Sequence, residues 1–124
     1  PSTPPPARLI KSQTGATLVP GGKRMAEDGR PAIDYLARAR ALVPLLDAAA
    51  PRIEASRAFP ADILAALHDA GMFRLLLPRA FGGAELDLPS FVRVVEILAA
   101  ADASVAWCVG QGGGCATGAA YLPP

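Results

Sequence analysis

Trp107, Cys108, Gln111 and Cys115 fall close together in a stretch, Ala103 to Ala120, that carries no charged side chain. Each offers a distinct chemistry. A lone tryptophan among small residues leaves shaped space beside its ring; core packing is its ordinary role and a ligand contact the alternative. Gln111 follows Trp107 by one helical turn on the same face. An uncharged amide on a buried apolar helix needs a partner, which a bound ligand or a neighbouring backbone would supply. Cys108 stands about one turn into its helix, and a thiol there becomes a nucleophile only if a basic group or the helix N-terminus lowers its pKa. Cys108 and Cys115 are two turns apart, roughly 10 Å of rise, whereas a disulfide needs Cα atoms within about 7 Å. Free thiols in a reducing cytoplasm are expected, and no zinc-type ligand spacing is present.

Between the two cysteines runs Gly110-Gln111-Gly112-Gly113-Gly114, which invites a phosphate-loop reading and fails it. A dinucleotide fingerprint from Gly110 would need glycine where Cys115 stands, and one from Gly112 would need it at Thr117. No Lys-Ser or Lys-Thr pair follows, and no strand precedes. Close approach of another backbone or a ligand is the better use of these glycines. His68 beside Asp69 lacks a nucleophile and reads as a solvent-facing helix residue. Glu54, Glu85, Asp87 and Glu96 form no spaced carboxylate pair. Glu85 reads as a solvated turn residue, and Glu96 as a surface partner for Arg93.

The elements that must hold these residues are helices. From Pro31, Ile33, Leu36, Ala37 and Arg40 lie at helical spacing, continued by Leu42, Leu45, Leu46, Ala49 and Ile53. Pro44 and Pro51 predict a kink or two shorter helices, ending near Ser56 to Phe59. Pro60 opens a second helix that Gly71 closes with a left-handed cap. The run Met72 to Leu77 fits an extended segment or a loop under the core, and Phe81-Gly82-Gly83 is a turn. Asp87 caps a third helix from about Leu88 to Ala101, with Pro89 in its first turn. Phe91, Val92, Val94, Val95, Ile97 and Leu98 wrap so much of it that enclosure on several sides is expected. Asp102 would fall mid-face if that helix continued, so Asp102 or Ser104 is expected to cap a fourth helix from near Ala103, fading into the glycines.

Composition bounds the rest. A chain of 124 residues makes one small domain. Hydrophobic residues at 52% favour a core, though alanine makes it thin enough to want a packing partner. A net charge of +1 and 6% aromatics exclude a nucleic-acid surface and an anionic-membrane surface. The glycines make a lipid-facing helix over Ala103 to Ala120 a poor fit. Residues 1–30, with Pro4-Pro5-Pro6 and Pro20-Gly21-Gly22, read as a disordered leader. The start at Pro1 and the end at Pro123-Pro124 both look like cuts, so a fragment is expected.

The order of punctuation from Asp69-Ala70-Gly71 through Leu77-Pro78, Phe81-Gly82-Gly83 and Leu88-x-x-Phe91-x-x-x-Val95-Glu96-x-Leu98-Ala99 to Asp102-x-Ser104-x-Ala106-Trp107 resembles the N-terminal helical domain of the acyl-CoA dehydrogenase superfamily. The likeness covers residues 31–124. Ser104-Val105-Ala106-Trp107 looks most like the reduced-flavin monooxygenase branch. The resemblance implies an all-α domain that, in the whole protein, precedes a β-domain and a C-terminal helical bundle. It implies a cytoplasmic flavoprotein oxidoreductase using FAD, or alternatively FMN, bound mainly by those other domains. It implies a small-molecule substrate, an acyl-CoA or an aromatic compound, a homo-oligomer and, in the monooxygenase branch, a flavin reductase partner. Trp107, Cys108 and Gln111 would lie on the substrate wall. No catalytic base matches within this chain, so the domain alone is expected to be inactive. The competing expectations are a non-catalytic helical module pairing through Leu88 to Ala101, and an inactive remnant of a truncated gene.

Overall fold

The computed structural model of the chain describes residues 33–119 and 121–122. The leader at residues 1–30 and the helix start expected at Pro31 lie outside the described residues.

Four helices and two short 3₁₀ turns make up the described chain: α1 Tyr35–Ser56, α2 Ala61–Asp69, 3₁₀ turns at Met72–Arg74 and Arg79–Phe81, α3 Leu88–Ala101 and α4 Ala103–Ala119. There is no strand among the described residues, as the sequence pattern predicts.

Asp34 starts α1 by accepting the Ala37 N–H at 2.9 Å. The helix then continues through Pro44 and Pro51 as one element and does not divide into the two shorter helices that were one of the expectations. The reason lies in where the prolines sit. Both are on the exposed side, while Ala39, Leu42, Leu46, Ala49 and Ile53 form the buried stripe. The carbonyls that the prolines leave without N–H partners can turn to water, and packing of the opposite face holds the helix together. Arg57 ends it in the left-handed region at φ 51°, its N–H returning to Ile53 O.

Arg52 on α1 and Asp62 on α2 form a two-pronged ion pair at 3.0 and 2.9 Å. The hydrogen bond and the charge of Asp62 raise the Arg52 pKa; the Arg52 hydrogen bond in turn holds the Asp62 carboxyl below its ordinary value. Both side chains are exposed, so the pair contributes orientation more than stability.

The chain between α2 and α3 folds back on itself. Gly71 closes α2 with φ 77°, as its position predicts. Met72 and Leu75 insert into the core. Ala84 N–H then donates to Arg74 O, Glu85 N–H to Leu77 O and Leu86 N–H to Leu75 O, all within 3.0 Å. Gly83 makes this possible: a Cβ there would stand 1.8 Å from Leu77 O. Glu85 does more than the solvated turn residue expected. Its carboxylate accepts the Arg79 N–H at 3.0 Å and so caps the second 3₁₀ turn.

The core joins α1 to Ile63 and Leu67 of α2, Val94 and Leu98 of α3, and Val105, Ala106 and Val109 of α4. Among the described residues it contains no buried polar side chain. Helix α3 packs between α1 and α4, and α4 also meets the first 3₁₀ turn. The enclosure of α3 is partial. Val94 and Leu98 are buried, but Leu88 and Val92 are 64% and 46% exposed.

Candidate functional site

Helix α4 carries the residues whose types suggested chemistry, and two caps fix its start. Asp87 sets α3 by accepting the Ser90 N–H at 2.8 Å and the Ser90 hydroxyl at 2.9 Å. Asp102 then ends α3, donating its N–H to Leu98 O, and adopts extended backbone at φ −153°, ψ 114°. Its carboxylate accepts the Val105 N–H at 2.9 Å and the Ser104 hydroxyl, which starts α4 as the sequence predicts. Partial burial pushes the Asp102 carboxyl upward; the hydrogen bonds from Ser104 and Val105 outweigh it and hold the group below its ordinary range.

The glycines do not end α4. The helix continues to Ala119, and two of the glycines explain why. A Cβ at Gly113 would meet the Phe91 ring at 2.9 Å, and one at Gly112 the Phe73 ring at 3.1 Å. Two aromatic rings therefore lie against bare helix backbone, and their packing offsets a propensity cost of about 1 kcal/mol per glycine. Gly110, Gly114 and Gly118 have nothing within 4 Å of where a Cβ would be. One side of the glycine run is an aromatic seat, and the other is open.

The open side holds the predicted site residues. Trp107 is 68% exposed, so core packing, its ordinary role, does not apply here. Gln111 is exposed as well, and its amide faces solvent rather than a buried partner. The structure brings Trp107 and Gln111 together with Gly114 on one outward face, one helical turn apart. Cys108 and Cys115 are free and exposed. Cys108 diverges from the other two. It lines a largely apolar cleft of about 590 Å³ between the start of α4 and the end of α1, with Ile53, Arg57 and Phe59 across from it. Arg57 and Phe59 had no signal in the sequence, because only the crossing of α1 and α4 brings them near Cys108. His68 is exposed, as predicted, with its ring centroid 4.9 Å from that of Phe73. Arg93 and Glu96 do not pair: Arg52–Asp62 is the ion pair formed among the described residues.

The described residues do not fit a flavin. No side-chain nitrogen or oxygen is buried among them without a partner. The cleft is lined by one cation, Arg57, and two carboxylates, Glu54 and Asp102, so its ionisable lining is not cationic overall. Among the same residues no cluster of three His, Cys, Asp or Glu could hold a metal ion, and no helix is long and apolar enough to cross a membrane. What α4 presents is a wall: an indole face, an amide and bare backbone.

The amino-acid sequence of residues 37–121 matches the family described as acyl-CoA dehydrogenase, N-terminal domain. The chain belongs to that family. Its similar proteins include the flavin-dependent monooxygenase, oxygenase subunit HsaA, of Rhodococcus jostii, 39% identical over 70 residues, which are 56% of this chain and 18% of that protein. They also include the FADH(2)-dependent resorcinol hydroxylase, oxygenase component, of a Rhizobium species, 33% identical over 81 residues, 65% of this chain and 20% of that protein. A third is the p-hydroxyphenylacetate 3-hydroxylase, oxygenase component, of Acinetobacter baumannii, 29% identical over 75 residues, 60% of this chain and 18% of that protein. The chain thus spans about a fifth of the length of these relatives.

Proposed function

We propose that this chain is the substrate-wall domain of a flavin-dependent monooxygenase oxygenase component that hydroxylates an aromatic compound. The observation that carries this reading is the outward face of α4. It offers a flat indole, Trp107, beside uncovered backbone at Gly110 and Gly114, with the Gln111 amide one turn away. An aromatic ring can stack on or edge against the indole while the amide orients a hydroxyl or carboxyl substituent. The names of the relatives, two of them oxygenase components acting on resorcinol and p-hydroxyphenylacetate, support the monooxygenase branch over acyl-CoA dehydrogenation.

In this reading the chain's residues bind and orient substrate and exclude water from one side of it. Reduced flavin, FAD or FMN, is held by other parts of a whole cytoplasmic protein, a homo-oligomer, and is supplied by a separate reductase. Cys108 stands at the edge of the wall and lines the cleft between α1 and α4.

The test is Trp107→Ala in the whole protein, assayed with a reductase and an aromatic substrate. An exposed residue away from the core changes stability by within about 0.5 kcal/mol. Loss of a stacking contact worth about 1.4 kcal/mol raises KM about tenfold. Unchanged KM with a large fall in stability would return Trp107 to a packing role and remove the proposed wall.

A further inference from the structure

The wall of α4 has a back as well as a front. At about 100° per residue, the midpoint of Gly112 and Gly113 lies about 150° round the helix from Gln111 and about 170° from Trp107. The Phe73 and Phe91 rings therefore press on α4 directly behind the face it presents. No side-chain layer separates ring from backbone. The Cβ position of Gly113 lies 2.9 Å from Phe91 Cε2, and that of Gly112 lies 3.1 Å from Phe73 Cδ1.

Both rings belong to well-anchored elements. Phe91 is part of α3, which Asp87 caps and α1 packs against. Phe73 stands in the first 3₁₀ turn, in a segment tied back by Ala84 N–H to Arg74 O at 2.9 Å and Leu86 N–H to Leu75 O at 2.8 Å. The His68 ring, on α2, lies against the same phenyl ring with centroids 4.9 Å apart. The first half of α4 is pinned by Val105, Ala106 and Val109, whereas beyond Val109 its buried residues reduce to Gly113. The half that carries Gln111 and Gly114 thus rests on the two rings, with Leu76 Cδ1 beside them at 3.5 Å from the Gly113 Cβ position.

We infer that Phe73 and Phe91 are positioning residues for the α4 wall, and that ring size against bare glycine sets how large an aromatic ring system the wall admits. The inference rests on the reading of α4 as a substrate wall. A bulkier contact behind the helix drives Gln111 toward the substrate and narrows the space in front of it. A smaller one lets Gln111 and Gly114 retreat and widens that space. Interiors are packed closely enough for a change of one methylene to be felt by the neighbours. Gly112→Ala brings a methyl to 3.1 Å from Phe73, inside the ordinary contact range that begins at 3.4 Å, so ring and helix must part by a few tenths of an ångström. Misplacing a positioned group by about 1 Å can cost about 100-fold, so a few tenths correspond to about threefold to fivefold.

The test compares a one-ring phenol, resorcinol, with a two-ring phenol, 2-naphthol, in the whole protein supplied with reduced flavin. Oxygen consumption gives KM for resorcinol and the competitive Ki of 2-naphthol against it; neither constant depends on the fraction of enzyme that is folded. Gly112→Ala and Phe73→Val displace Gln111 in opposite directions, and each is expected to raise KM for resorcinol by about threefold or more. The Ki of 2-naphthol should rise by about threefold in Gly112→Ala and fall by about threefold in Phe73→Val. Valine removes the Cδ1 and Cε1 atoms that face Gly112 and so vacates the space that the new methyl takes. The combined variant, Gly112→Ala with Phe73→Val, should therefore return both constants to within about twofold of wild type. Circular dichroism checks helix content, and Gly112→Ala, which raises helix propensity, decides the matter alone if Phe73→Val does not fold. Constants unmoved in Gly112→Ala, a Ki that shifts the same way in both single variants, or a combined variant with a higher resorcinol KM than either single overturns the inference and leaves the wall in place. A wild type that consumes no oxygen with either phenol removes the wall reading and the inference with it.

Discussion

Replacing Asp102 by alanine tests how α4, and with it the wall, is positioned. The carboxylate at the α3–α4 junction accepts the Val105 N–H at 2.9 Å and the Ser104 hydroxyl. The backbone bonds of the junction, Asp102 N–H to Leu98 O at 2.9 Å and Ala106 N–H to Asp102 O at 3.1 Å, survive the substitution. What is lost is one helix-capping bond and its hydroxyl companion, so the cost is that of an N-cap deletion, about 1 kcal/mol and at most about 2. For a domain of this size each kcal/mol lowers Tm by about 4–8 °C. Asparagine keeps an acceptor oxygen and should recover at least half of the loss. The Asp102 carboxyl is held below its ordinary value, so its stabilisation is present above the unfolded pKa, near about 4, and lost as pH falls through the lower folded value. Urea denaturation followed by circular dichroism at pH 7 and pH 3 reads both effects. Asp102→Ala should differ from wild type at pH 7, and the gap should narrow at pH 3. A variant as stable as wild type at pH 7, or a gap that widens in acid, would refute the capping account.

Further outcomes follow from the glycines and the ion pair. Gly83→Ala should destabilise by about 3 kcal/mol or more by urea titration, because its Cβ would stand 1.8 Å from Leu77 O. Gly114→Ala, on the open side of α4, should stabilise by up to about 1 kcal/mol, whereas Gly113→Val should destabilise by about 1–3 kcal/mol by overpacking Phe91; equal effects at the two sites would contradict a continuous helix. Asp62→Asn breaks the exposed bond to Arg52, and should change stability by less than about 1 kcal/mol, with the difference disappearing in high salt.

Local chemistry made much of this fold legible. Asp87 and Asp102 announce helix starts because a short acidic side chain satisfies orphan N–H groups within three residues, a relation sequence spacing contains. Gly71 announces an end because its φ of 77° suits a residue without Cβ. What needed the structure were relations between distant segments. Pro44 and Pro51 look like breaks until both are found on the solvent side of a helix whose other face is packed. The glycine run looks like a fading end until Phe73 and Phe91 are found seated on Gly112 and Gly113. Trp107 reads as core because hydrophobicity says that a ring prefers burial without saying which side of α4 is already full. Val105, Ala106 and Val109 occupy that side, and Trp107 is left facing out. Cys108 separates from Trp107 and Gln111 because α1 ends where it does, which no spacing within α4 records.

The central claim, that this domain serves a reductase-fed monooxygenase acting on an aromatic ring, is tested most directly by oxygen consumption. The whole protein, supplied with enzymatically reduced flavin and an aromatic substrate such as resorcinol, should consume oxygen and release a ring-hydroxylated product. Flavin in the whole protein that bleaches with an acyl-CoA and without any reductase, with no hydroxylated product, would contradict it.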